Sequence, residues 1–156
     1  MKRQMLKGTA TLGVLALALV AAAGSALAKG DMTEQKAIPI LLTMGSKDNK
    51  MIFTPNKLKF ETGKLYKLLL VNEGTEKHEF DSTTLRDAVF SHKVEVVSPD
   101  GVELAEIVGS PGEIEVAPGV TVEWYFVPVK AVKKGDIICD MPGHLKAGMK
   151  ATFSIE

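Results

Sequence analysis

The sequence predicts an all-β domain, an antiparallel Greek-key sandwich or barrel with at most one short helix near residues 82–90. Three observations carry this. Short apolar runs alternate with Gly- and Pro-containing turns along most of the chain. Several runs have period-two alternation, clearest in "VTVEWYF", where Val120, Val122, Trp124 and Phe126 face one way and Thr121, Glu123 and Tyr125 the other. Segments of helical period are nearly absent, and "STTLRDAVF" (82–90) is the one short candidate.

Each element follows from local signals. "AIPILLTM" (37–44) reads as a first strand, closed by the polar turn "GSKDNK". In "NKLKFETGKLYKLLLVNEG" Leu58 and Phe60 alternate with Lys57 and Lys59, and Gly63 punctuates the run before Leu65–Val71. "HKVEVVSPDGVELAEI" predicts two strands around a Pro99-Asp100-Gly101 turn. "EIEVAPGVTVEWYFV" turns at Pro118-Gly119, and "GDIIC" and "KATFSIE" supply two further strands.

The N-terminal part reads differently. Lys2, Arg3 and Lys7 precede an apolar run that ends in Ala26-Leu27-Ala28, the build of a secretory signal peptide occupying residues 1–28. Residues 29–36 form a polar leader expected to be flexible, and residues 37–156 the folded domain. The expected location is therefore the periplasm, without stable membrane insertion. The whole chain has 19 Lys and Arg against 19 Asp and Glu; loss of the three signal-segment cations leaves a formal charge of −3. Nothing in that balance suggests a nucleic-acid partner, which would call for a basic patch.

The chain has a single cysteine, so no internal disulfide staples the fold. Cys139 opens "CDMPGHLKAGM", in which four residues separate it from His144 and four more separate His144 from Met149. Thiolate, imidazole and thioether on one tight loop are the donor set that suits copper. Pro142-Gly143 bends the chain between the first two, and Gly148 turns it again before Met149. A metal would also hold the thiol as thiolate and protect it from oxidation and stray pairing. Trigonal His₂Cys coordination needs a second imidazole, which "VNEGTEKHEF" offers in His78.

"NEGTEKHEF" and the later "CDMPGHLKAGM", with "FTPNKLKFETGKLYKLLLVN" before them, resemble the cupredoxin family of small blue copper proteins across most of residues 50–156. The ligand-loop spacing is similar to that of auracyanins and rusticyanin. The resemblance implies one copper ion per chain, with His78, Cys139 and His144 as equatorial ligands and Met149 as the weak axial one. It also implies a docking patch around His144, to which Met141, Pro142, Leu145 and Ala147 would contribute. The expected partners are redox proteins such as a cytochrome or an oxidase, met in weak transient encounters by a monomer.

Azurin- and plastocyanin-like members of that family place Asn directly after the first histidine. Here that residue is Glu79, and Asp140 follows Cys139; two inward carboxylates would sit close together and one would titrate high. His92, on the face of Val94 and Val96, has no partner ligand nearby in sequence and reads as structural or solvated. One cysteine excludes a binuclear copper centre, and Ile138 and Asp140 beside it exclude the His-Cys-His signature of a multicopper oxidase. Four protein ligands leave no open position for substrate, so the expected role is electron transfer rather than catalysis. Copper tolerance, sequestration or delivery is the alternative, and a docking or assembly module a third reading. Scattered Met32, Met44 and Met51 do not form the Met-rich tract of a dedicated copper handler.

Overall fold

Strand β9 (Thr121–Pro128) is the middle of the larger sheet, and its period-two pattern decides which face meets the core. Val122, Trp124 and Phe126 are buried, whereas Thr121, Glu123 and Tyr125 lie half-buried on the opposite face. β4 (Tyr66–Asn72) pairs with it antiparallel on one side, Leu68 opposite Trp124, and β6 (Val89–Val97) on the other, Val94 opposite Trp124. With β1 (Ile38–Met44), β2 (Phe53–Thr54) and β7 (Glu103–Ile107) the order is β2-β1-β4-β9-β6-β7. As the Pro99-Asp100-Gly101 turn predicts, β6 and β7 are antiparallel neighbours. This is a computed structural model; it describes residues 30–156, and the expected signal segment 1–28 lies outside them.

The facing layer contains β3 (Lys57–Phe60), β10 (Val132–Ile138) and β11 (Lys150–Ile155), in the order β10-β11-β3. Short β5 (His78–Phe80) pairs with β8 (Ile114–Val116). Asp81 and Ile138 then exchange both backbone hydrogen bonds at 3.0 Å, which joins β5 to β10. Inward side chains of the two layers interdigitate, as sandwich cores do. Phe60 meets Phe126 edge-on at 5.4 Å between ring centroids, and Phe80 meets Trp124 at 6.2 Å. The indole Nε1–H of Trp124 donates to Ser91 Oγ at 2.9 Å, so the largest core residue leaves no polar atom unpaired.

Three local features refine the sequence reading. Two ladders are parallel, β1 with β4 and β3 with β11, because the chain crosses from the first sheet to the second at residues 55–56 and returns before β4. Period-two patterning fixes the buried face of a strand but not the direction of its partner. The helix is shorter than the 82–90 segment: α1 spans Thr83–Arg86, with Ser82 Oγ accepting the Leu85 N–H. β6 then takes Val89 and Phe90 into its ladder with β9. Within the expected leader, Met32–Glu34 form a 3-10 turn capped by Asp31, and Gln35 Nε2 donates to the Gly63 carbonyl at 3.1 Å.

Candidate metal centre

Backbone pairing decides where the potential ligands meet. His78 opens β5, and the Asp81–Ile138 bridge holds β5 against the end of β10, directly before Cys139. The segment from Cys139 to Met149 is stitched at both ends: Cys139 N–H donates to the Met149 carbonyl at 3.2 Å and Met149 N–H to the His144 carbonyl at 3.1 Å. Inside it, His144 N–H reaches the Met141 carbonyl at 3.0 Å. Gly143 and Gly148 take φ values of 92° and 98°, which side chains other than glycine rarely adopt. These are the two bends expected from the sequence.

The result is a close cluster of three donors. His78 Nδ1 lies 3.3 Å from His144 Nδ1, and Cys139 Sγ lies 3.3 Å from the same His144 nitrogen. The potential ligand atoms of His78, Cys139 and His144 all fall within 4.8 Å of one another, and all three residues are buried. Met149, closing the same loop, is fully buried as well. Three neutral or ionisable N and S donors converging on one point in a dry site fit one metal ion, and the mix of thiol and imidazole suits copper.

The electrostatics are consistent with a ligand role. Burial, reinforced by neighbouring His144, holds His78 below the usual histidine range, so its imidazole is neutral as coordination requires. Burial pushes the Cys139 thiol up, while the backbone N–H groups of Glu79 and Met141 pull it back. The Glu79 N–H donates to Sγ at 3.3 Å. Those donors favour the thiolate that a bound cation would stabilise outright.

Neighbouring residues that the sequence did not single out shape the site. A methyl group at Gly45 would lie 2.3 Å from His78 Nε2, and one at Gly74 would lie 2.7 Å from it. The imidazole is thus held in a slot between two bare backbones. Asn72, buried at the end of β4, donates Nδ2 to the carbonyls of Val116 at 2.7 Å and Glu76 at 2.8 Å, and accepts the Gly74 N–H at 2.8 Å. It fixes the loop leading to His78; the only sequence signal for it was a polar residue at the end of an apolar strand.

The two carboxylates beside the ligands point differently. Glu79 is buried and Asp140 exposed. Burial, then a hydrogen bond shared with Glu113, pushes the Glu79 carboxyl up to about 7. Its carboxyl partner is Glu113, just before β8, rather than Asp140 alone. His92 sits at an irregularity of the β6–β9 ladder and is not among the clustered donors. Around His144, Leu145 is 42% exposed and Pro142 and Ala147 are exposed, while Met141 is half-buried against the core.

No family model and no curated relative matches the sequence. Solved structures do match in shape. A multicopper oxidase from Campylobacter jejuni aligns over 78% of this chain with a TM-score of 0.58 at 12% identity. A Cu-containing nitrite reductase from Thermus scotoductus aligns over 79% with a TM-score of 0.56 at 8% identity. The chain spans only 30% of the oxidase and 34% of the reductase. Auracyanin A, a "blue" copper protein from Chloroflexus aurantiacus, aligns over 78% of this chain and 100% of its own length, with a TM-score of 0.49 at 14% identity. Two mostly antiparallel layers, matched in shape by these copper-protein structures at such low identity, establish the architecture: the chain has the cupredoxin fold.

Proposed function

We propose that the protein is a type 1 blue copper protein that passes single electrons between redox partners, with His78, Cys139, His144 and Met149 holding one copper ion. The observation that carries this reading is the buried triangle of His78 Nδ1, His144 Nδ1 and Cys139 Sγ on a cupredoxin scaffold. Copper held there would supply reversible one-electron chemistry. The chain contributes a prebuilt cage: the stitched loop fixes three donors, the Asn72-anchored loop fixes the fourth, and the core keeps water out. A site with four protein donors and no open position favours a carrier over an enzyme.

The signal-type segment at residues 1–28 supports a periplasmic location, and among the described residues no helix is long and apolar enough to cross a membrane. Exposed Leu145, Pro142 and Ala147, with Met141 behind them, offer an apolar surface beside His144 for brief docking of a cytochrome or oxidase. The test is an absorption and EPR spectrum of the oxidised protein together with its copper content. One copper per chain with intense visible absorption and a narrow copper hyperfine splitting is expected. A colourless protein at full copper loading refutes the reading. Fast reduction by a cytochrome, with unaltered copper resistance in a deletion strain, separates a carrier from a copper-handling protein.

A further inference from the structure

The outer nitrogen of His144 has a charged neighbour. Nε2 lies 3.4 Å from Oε2 of Glu76, a residue in the loop between β4 and β5 that no motif singles out. The loop is not loosely placed, since the buried Asn72 bonds to the Glu76 carbonyl and to the Gly74 N–H from below. Glu76 therefore stands over the ring with its backbone pinned and its side chain 63% exposed. Among the described residues, His144 is the one basic side chain within 4.0 Å of its carboxylate.

The inner nitrogen faces the opposite demand. His144 Nδ1 has both His78 Nδ1 and Cys139 Sγ at 3.3 Å. A neutral imidazole carries one N–H. Placed on Nδ1, the hydrogen would block the nitrogen that faces the other donors, and a lone pair would be turned toward a carboxylate. Placed on Nε2, it faces the carboxylate and leaves the Nδ1 lone pair directed inward. The contacts then form one directed chain: Glu79 N–H to the sulfur, Cys139 S–H to His144 Nδ1, and His144 Nε2–H toward Glu76.

We propose that Glu76 is a positioning residue for His144: its carboxylate draws the ring proton to Nε2, keeps Nδ1 free for the metal, and places negative charge behind that ligand. A separation of 3.4 Å is longer than an ordinary N–H···O bond, and the exposed side chain has the freedom to close it. Outer partners of metal-bound histidines orient the ring and raise its basicity, commonly at a cost of ten- to hundredfold in affinity when removed. Exposure puts Glu76 at the low end of that range. The extra negative charge favours Cu(II) over Cu(I), so the effect on potential, unlike the tautomer, rests on the copper reading above.

Long-range proton–nitrogen NMR of the metal-free protein reads the tautomer. Wild-type His144 is expected as the Nε2–H form, Glu76→Ala as a mixture, and Glu76→Gln, whose amide oxygen still accepts, close to wild type. In the copper-loaded protein, Glu76→Ala is expected to lose about tenfold in Cu(II) affinity and less in Cu(I) affinity. If Cu(I) affinity does not change, the potential rises by about 59 mV. Glu73→Gln removes the same charge from the same loop without touching the Glu76 contact to His144, and should keep the tautomer and shift the potential less. A Glu76→Ala protein with the wild-type tautomer overturns the proposal, as does a Glu73→Gln shift of equal size. A chain that holds no copper refutes the copper reading, while the tautomer still decides the role of Glu76.

Discussion

The backbone N–H of Glu79 donates to the Cys139 sulfur across 3.3 Å, so the residue after His78 is bound to Cys139. Glu79 contributes only its main chain to this contact, which explains how an acidic side chain is accommodated beside His78. The Glu79 side chain turns instead to Glu113, and the link between the two ligand segments does not depend on it.

Replacing the two sulfur residues tests the roles proposed for them. Cys139→Ser is expected to lose the intense visible absorption, because the transition belongs to the copper–thiolate bond. Met149→Leu should keep the colour and raise the reduction potential, as removal of a weak axial donor destabilises Cu(II) more than Cu(I). Optical titration against redox mediators checks both, and an unchanged potential in Met149→Leu removes that residue from the axial position.

Gly74→Ala tests the slot around His78. Its methyl group would lie 2.7 Å from Nε2 and 3.3 Å from Asn72 Oδ1, so the imidazole must shift. Metal affinity should fall by about tenfold or more, the scale seen when a ligand's support is disturbed. Competition titration with a chelator measures it.

Gly135→Ala tests the sheet behind the site. Gly135 faces Phe153 across the β10–β11 ladder, and a methyl group there would lie 2.2 Å from two ring atoms. Overpacking of this kind costs about 1–3 kcal/mol, read as a lower urea midpoint. Phe153→Leu, added to Gly135→Ala, should cost less than the two single changes together because the clash is shared.

Lys93 predicts the alkaline limb of stability. Its ammonium lies between Glu95 and Glu106 and 5.2 Å from the centre of the Tyr125 ring. The hydrogen bonds to Glu95 and Glu106 raise the lysine, and burial with Glu123 raises the tyrosine. Both folded-state values exceed those of the unfolded chain. Their contribution is therefore complete below about pH 10 and fades as pH rises beyond it. Urea midpoints should drop through that window, and in Lys93→Met the drop should be smaller.

Much of this architecture is legible in the sequence because it is local. The alternation at Val122, Trp124 and Phe126 names the buried face of β9, and the Pro99-Asp100-Gly101 turn names a hairpin. The spacing of Cys139, His144 and Met149 survives as a single loop because its bends are written in as Pro142-Gly143 and Gly148. What stays hidden depends on pairing between distant segments. Nothing local says that β1 runs parallel to β4, or that β8 lies beside β5 and brings Glu113 to Glu79. Gly45 and Gly74 read as turn residues until the ring between them is placed, and Glu76 reads as ordinary surface until His144 arrives beneath it.

The bridge between Asp81 and Ile138 sets an order of events. Before it closes, a nascent chain possesses three of the four candidate donors on its C-terminal hairpin and a solitary imidazole upstream, with four strands between them. Complete coordination is then a reward for finished topology, and ladders between remote segments form slowly. Maturation should accordingly run shape first and metal second, with the empty scaffold already waiting for its ion.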